Sequence, residues 1–169
     1  MPKLEGFKAA KQAKQNSCWA SAARAITNWY AGKELYATDK DFAKAWKEAT
    51  GKQVHADIDV QQSAAAALLD LGYDNNTDDH ALPTAAEIAN QINNERPLLA
   101  IVGNAPPNPN PNPNYQNGHW VVIVGISDDQ TKLSVFDPDD GKIHDVDYYA
   151  ATYQAGSYWQ NTSYVDPHK

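Results

Sequence analysis

The chain has 169 residues, of which 42% are hydrophobic and 21% charged, which suits one domain with a real core and excludes wholesale disorder. Fourteen Lys and Arg against 21 Asp and Glu leave a net charge of −7, the wrong sign for a surface that tracks phosphates, so nucleic acid is excluded as a partner. No stretch approaches the roughly 18 apolar residues of a membrane span, so no membrane contact is expected.

In chain order, Asn16 or Ser17 is placed to cap a helix that runs to about Ala31, with Ala20, Ala23, Ile26, Thr27 and Tyr30 on one side and Gly32 as its stop. A second helix is expected over Lys40–Thr50, on the stripe Phe42, Ala45 and Trp46, ending at Gly51. A third, capped by Asp59, runs to Leu71. The polar stretch Asp74–His80 reads as a loop, and Pro83 opens a fourth helix through Glu95. The period then changes. Residues 97–103, 119–126 and 133–137 are apolar runs of strand length, with a hairpin connection at 127–132. Asp139-Asp140-Gly141 turns into a strand over Lys142–Asp147, and Tyr158–Val165 reads as a closing strand. Alternating proline across 106–114 makes that stretch an extended surface loop. The expected fold class is therefore α+β: one domain over 1–169, helical over about 1–96, with an antiparallel sheet over about 97–169.

Cys18 is the one cysteine of the chain and falls at the start of the first helix, where unpaired N–H groups and the helix dipole favour a thiolate. Alone it forms no internal disulfide and makes a poor metal site, and no metal or organic cofactor is expected. A thiolate nucleophile needs a base, and the base needs a group to orient it. His168 falls in the tail, His55 and His80 in loops, and His144 in a short strand. His119 opens the most apolar strand, a rigid mount for a ring facing a cleft. The return strand of the hairpin brings Asp137 back toward His119. Asp137 also suits the turn that follows it, and residue types alone leave both roles open.

The set Gln12-x5-Cys18-Trp19-Ala20, then Gly118-His119-Trp120-Val121-Val122-Ile123-Val124-Gly125, then Asp137-Pro138 resembles the papain-like cysteine peptidases in order and local context. Among these it is most similar to compact bacterial members: effector proteases of plant pathogens, and peptidase domains that cleave leader peptides after double glycine. The resemblance implies a papain-like fold, its nucleophile helix packed on the C-terminal sheet. It implies Cys18 as nucleophile, His119 as general acid/base, Asp137 as orienting residue and Gln12, six residues before the cysteine, as oxyanion donor. Gln15 is the rival amide. Trp19, Trp120 and Tyr115, which flank these positions, are expected to bind substrate.

The function so implied is a cysteine endopeptidase working through a thioester on a protein or peptide, as a bacterial effector or toxin. It would be made in the bacterial cytoplasm without a classical signal peptide and delivered into a target cell, with a cognate immunity protein as candidate partner. A glutamine deamidase, transglutaminase or acyltransferase would use the same triad. A non-catalytic peptide-binding module would need none of it.

Overall fold

The computed structural model describes residues 3–51, 58–78, 80–103, 118–150, 152–154 and 157–167. Among these are four helices: α1 (Cys18–Ala31), α2 (Asp39–Thr50), α3 (Ala64–Asp70) and α4 (Ala85–Asn93). Seven strands, β1 (Asp74–Thr77), β2 (Leu98–Gly103), β3 (His119–Ile126), β4 (Lys132–Asp137), β5 (Lys142–Asp147), β6 (Thr152–Gln154) and β7 (Ser157–Asp166), form one antiparallel sheet. Its order is β1-β7-β2-β3-β4-β5, and β6 pairs with β7. The α+β class expected from the sequence is the one observed, as is the helix that starts at Cys18.

Local signals set most boundaries. Thr38 caps α2 through the N–H of Asp41, Gly51 ends it in the left-handed conformation, and Thr84 with Glu87 forms a reciprocal capping box on α4. Three expectations change. Helix α3 begins at Ala64, capped by Ser63, and not at Asp59, whose carboxylate instead accepts the N–H of Asn16 at 2.7 Å. The stretch expected as a loop contains β1, although Asp-Asn-Asn-Thr has little strand propensity. Pairing with β7 overrides it. The closing strand is longer than expected and lies inside the sheet, between β1 and β2.

Strands β2 and β3 are apolar almost throughout because they occupy the middle of the sheet, and helices α1 and α4 pack on β3. Fully burying a side chain such as Val121 or Ile123 contributes about 1.5–3 kcal/mol. The N-terminal segment is sewn to the β3–β4 hairpin. Val124 is the extra residue of a bulge in β3, and its carbonyl is satisfied by the N–H of Leu4 at 2.8 Å. Phe7 follows and wedges between Trp29 of α1 and Phe136 of β4. The helix that begins with Cys18 and the strand that begins with His119 are thus held against each other through the core.

Candidate active site

Residues 10–17 form the approach to Cys18 and are held on three sides. The N–H of Gln12 donates to the carbonyl of Pro138 at 2.7 Å, which lays this segment on the turn after Asp137. Gly141 in that turn has φ +70°, and a Cβ there would sit 2.4 Å from the Lys11 nitrogen, so only glycine allows the approach. From α2, Asp39 accepts the Ala13 N–H at 2.8 Å and the Ser17 hydroxyl at 3.0 Å. Asp39 is 1% exposed, and its buried charge is compensated by Arg24 of α1 at 3.0 Å. The third anchor is Asp59, on Asn16. Because the Ser17 hydroxyl is drawn to Asp39, no side chain caps α1, and its first turn keeps N–H groups for something else.

His119 starts β3 behind Gly118, whose φ is +152° and whose added Cβ would lie 2.7 Å from Ile101 Cγ2. In the β3–β4 register Val122 faces Phe136. Counted on from that pair, Asp137 falls opposite Val121, two residues from His119 on the same face, within diagonal reach. The side chains meet: His119 Nε2 lies 2.5 Å from Asp137 Oδ1. Cys18 is the imidazole's other interaction partner, and both line the same cleft. With Nε2 taken by Asp137, Nδ1 is the nitrogen left for the sulfur.

Burial opposes charge on His119, but the bonds to Asp137 and Cys18 and the negative charge on both partners outweigh it. They push its pKa up to about 10. Asp137 shows the converse. Burial would raise it, yet His119, the Tyr153 hydroxyl and the Asp139 N–H together hold it below the ordinary carboxylate value. An imidazolium thus sits between a carboxylate and a sulfur at the end of a helix.

Cys18 and His119 line a cleft of about 310 Å³ together with Gln15, Asn16, Gln61 and Ser157, while Asp137 lies buried behind the ring. A larger cavity of about 620 Å³ lies beside Trp29, Lys33 and Arg96, but it holds neither a thiol nor an imidazole. The chemistry points to the smaller one. Among the described residues no group of three or more His, Cys, Asp or Glu is arranged to hold a metal ion, and no helix is long and apolar enough to cross a membrane.

Several expected roles do not match the geometry. Gln12 is 8% exposed, and its amide nitrogen donates to the carbonyls of Lys14 and Gln15 at 2.8 and 2.7 Å. Both its N–H groups are spent on bracing the loop, which leaves none for an oxyanion. Of the two glutamines, Gln15 is the one that lines the cleft. Trp19 and Trp120 are core residues, 1% and 3% exposed, and form no aromatic rim. Trp19 packs on Phe42 and Trp46. Their indole N–H groups bond the carbonyls of Val60 and Gln62, so they support the segment that carries Gln61 to the cleft. Tyr115 and the Asn-Pro loop 106–114 lie outside the described residues.

Sequence reasoning missed Tyr153, whose hydroxyl reaches Asp137 Oδ2 at 2.7 Å, and Asp39 and Asp59, which anchor the nucleophile loop. No motif marks Tyr153 or Asp39, and the one signal at Asp59 is that of a helix cap, since each acts on a distant element.

The Peptidase_C39-like family model matches residues 4–167. A crystal structure of a Bacillus anthracis protein described as a C39-like peptidase superposes with a TM-score of 0.60. That match covers 99% of this chain and 98% of the other at 15% identity, which speaks for the fold alone. A search of curated protein sequences finds no match. The family model spans the nucleophile loop, the helices and the whole sheet, and on that match the chain belongs to the Peptidase_C39-like family and is a hydrolase of the peptidase class.

Proposed function

We propose that the chain is a cysteine peptidase in which Cys18 is the nucleophile, His119 the general acid and base, and Asp137 the residue that orients the imidazole. One observation carries this reading: the His119 ring is hydrogen-bonded to Asp137 and shares one open cleft with the cysteine that begins α1.

The thiolate attacks the carbonyl carbon of a peptide bond, and the negative charge moves to the carbonyl oxygen. The Cys18 backbone N–H, which as the first of α1 has no acceptor within the helix, is one donor to that oxygen. We assign the second to the Gln15 side chain, with Gln12 as the brace of the loop. The His119 imidazolium passes its proton to the leaving amine as the C–N bond breaks, which leaves a thioester on Cys18. Neutral His119 then takes a proton from water, whose hydroxide attacks the thioester. The acid departs and the thiolate–imidazolium pair is restored.

The test compares wild type with Cys18→Ala in a cell lysate, by mass spectrometry of newly formed N-termini. New termini with wild type alone support a peptidase. Glutamine-to-glutamate conversion without new termini would move the reading to a deamidase with the same triad. The delivered-effector role and an immunity protein over this cleft are supported by the resemblance to compact bacterial effectors. The same two proteins, expressed in a bacterial cytosol, test that role by growth arrest with wild type and none with Cys18→Ala.

The oxyanion assignment makes its own prediction. Gln15→Ala should lower kcat about 10²–10³-fold with an unchanged melting temperature. Gln12→Ala should lower the melting temperature as well, because the loop loses the two bonds from the buried Gln12 amide to the carbonyls of Lys14 and Gln15. A crippled Gln12→Ala of normal stability beside an active Gln15→Ala would return the role to Gln12.

A further inference from the structure

Asp137 is held by more donors than the histidine. Its Oδ1 accepts from His119 Nε2 at 2.5 Å and from the Asp139 N–H at 2.9 Å, while its Oδ2 accepts the Tyr153 hydroxyl at 2.7 Å. Tyr153 comes from β6, is 4% exposed, and packs edge-on against Trp159 with ring centroids 5.5 Å apart. Burial raises its pKa far above the ordinary phenol value. The bond to Asp137 and the charges of Asp137, Asp140 and Asp139 raise it further, so the hydroxyl stays a donor. Asp140 is in turn bonded by His144 at 2.7 Å.

A carboxylate bonded through one oxygen can still turn about its Cβ–Cγ bond and carry that oxygen out of the imidazole plane. A donor on the second oxygen removes this freedom. Strand β6 is three residues long and, among the described residues, pairs only with β7, where Gln154 faces Ser157 of the cleft. The hydroxyl therefore also ties this hairpin to the triad.

We propose that Tyr153 is a positioning residue for the peptidase reaction: its hydroxyl pins Oδ2 of Asp137, so that Oδ1 stays on His119 and the other ring nitrogen stays aimed at Cys18. The inference rests on the triad reading above. A tyrosine that only filled space would be replaceable by phenylalanine.

The experiment is Tyr153→Phe in the full chain, which removes one oxygen and keeps the ring. It should fold, with kcat lowered about tenfold and KM unchanged. Alkylation of its Cys18 by iodoacetamide should lose its His119-dependent plateau at a lower pH than in wild type, since an imidazolium without a fixed carboxylate gives up its proton sooner. In an Asp137→Ala background the same change should cost nothing more, because the residue acts through Asp137. Wild-type kcat and alkylation, a plateau extended to higher pH, a full additional loss in the Asp137→Ala background, or failure of Tyr153→Phe to fold would each overturn the proposal. The triad reading fails separately: there, wild-type alkylation itself would resemble a free thiol and ignore His119→Ala.

Discussion

Cys18→Ala is expected to remove peptide-bond hydrolysis altogether, a loss on the order of 10⁶ in kcat, as for loss of the nucleophile in other hydrolase triads. The fold should survive. The cysteine is buried in the first turn of α1, and alanine keeps the helix and fits the same space, while the imidazole nitrogen that loses the sulfur lies at the cleft, where water can replace it. The loss therefore belongs to chemistry and not to stability. Circular dichroism and a melting curve, set beside turnover of any peptide that wild type cleaves, separate the two. Residual cleavage above about one part in 10³ would mean that another group attacks the carbonyl. Cys18→Ser would be nearly as inactive, because a hydroxyl gives up its proton far less readily than a thiol and is the weaker nucleophile without a base poised for it.

Asp137→Ala should lower kcat about 10⁴-fold and also destabilise the protein. The stability loss follows from what the carboxylate holds. Without it the buried Tyr153 hydroxyl and the Asp139 N–H lose their acceptor, each costing about 1–3 kcal/mol where water cannot replace it. It also depends on pH. Folded His119 keeps its proton to about pH 10, against 6.5 for an ordinary histidine, so the pair's contribution is whole below 6.5 and fades as the pH rises to about 10. Asp137 is held below its ordinary value of 3.8, so its own contribution is present above that value and is lost in acid. The gap in melting temperature between wild type and Asp137→Ala should be widest near pH 5–6 and narrow by pH 10. Asp137→Asn keeps one oxygen for His119 and an amide that the tyrosine oxygen can accept, so it should retain much of both. Equal losses in Asn and Ala variants would show that the charge, not the geometry, is what His119 needs.

The parts of this architecture that neighbouring residues determine could be read from the sequence. Gly32 and Gly51 stop their helices, the apolar run after Gly118 is a central strand, and the short polar connection at 127–132 fixes the β3–β4 hairpin that brings Asp137 to His119. What escaped depends on partners far along the chain. Nothing local makes Asp-Asn-Asn-Thr a strand. It pairs because β7 offers an edge, and Tyr164 and Thr162 hold Asp78 just beyond it. Asp59 carries a helix-capping signal, but the Asn16 N–H of the nucleophile loop competes for its carboxylate and wins, leaving the cap to Ser63. Spacing placed Gln12 correctly in the chain, yet could not show that the carbonyls of the loop would take its amide. An indole beside a site residue looks the same in a sequence whether it faces a groove or the core. Trp19 and Trp120 face the core, and their N–H groups act on the cleft only through the carbonyls of residues 60 and 62. Tyr153 lies 16 residues past Asp137 on a three-residue strand, with no pattern to single it out.

The most direct measurement of the central claim is the rate at which Cys18 is alkylated by iodoacetamide from pH 5 to 11, in wild type and in His119→Ala. If His119 holds a positive charge against the Cys18 sulfur until about pH 10, wild type reacts rapidly at pH 6 and its rate stays flat until the imidazolium titrates. His119→Ala then reacts far more slowly at pH 6, its rate climbing with pH as a free thiol's does. Wild type that climbs in the same way, with a rate at pH 6 that His119→Ala leaves unchanged, would contradict the triad.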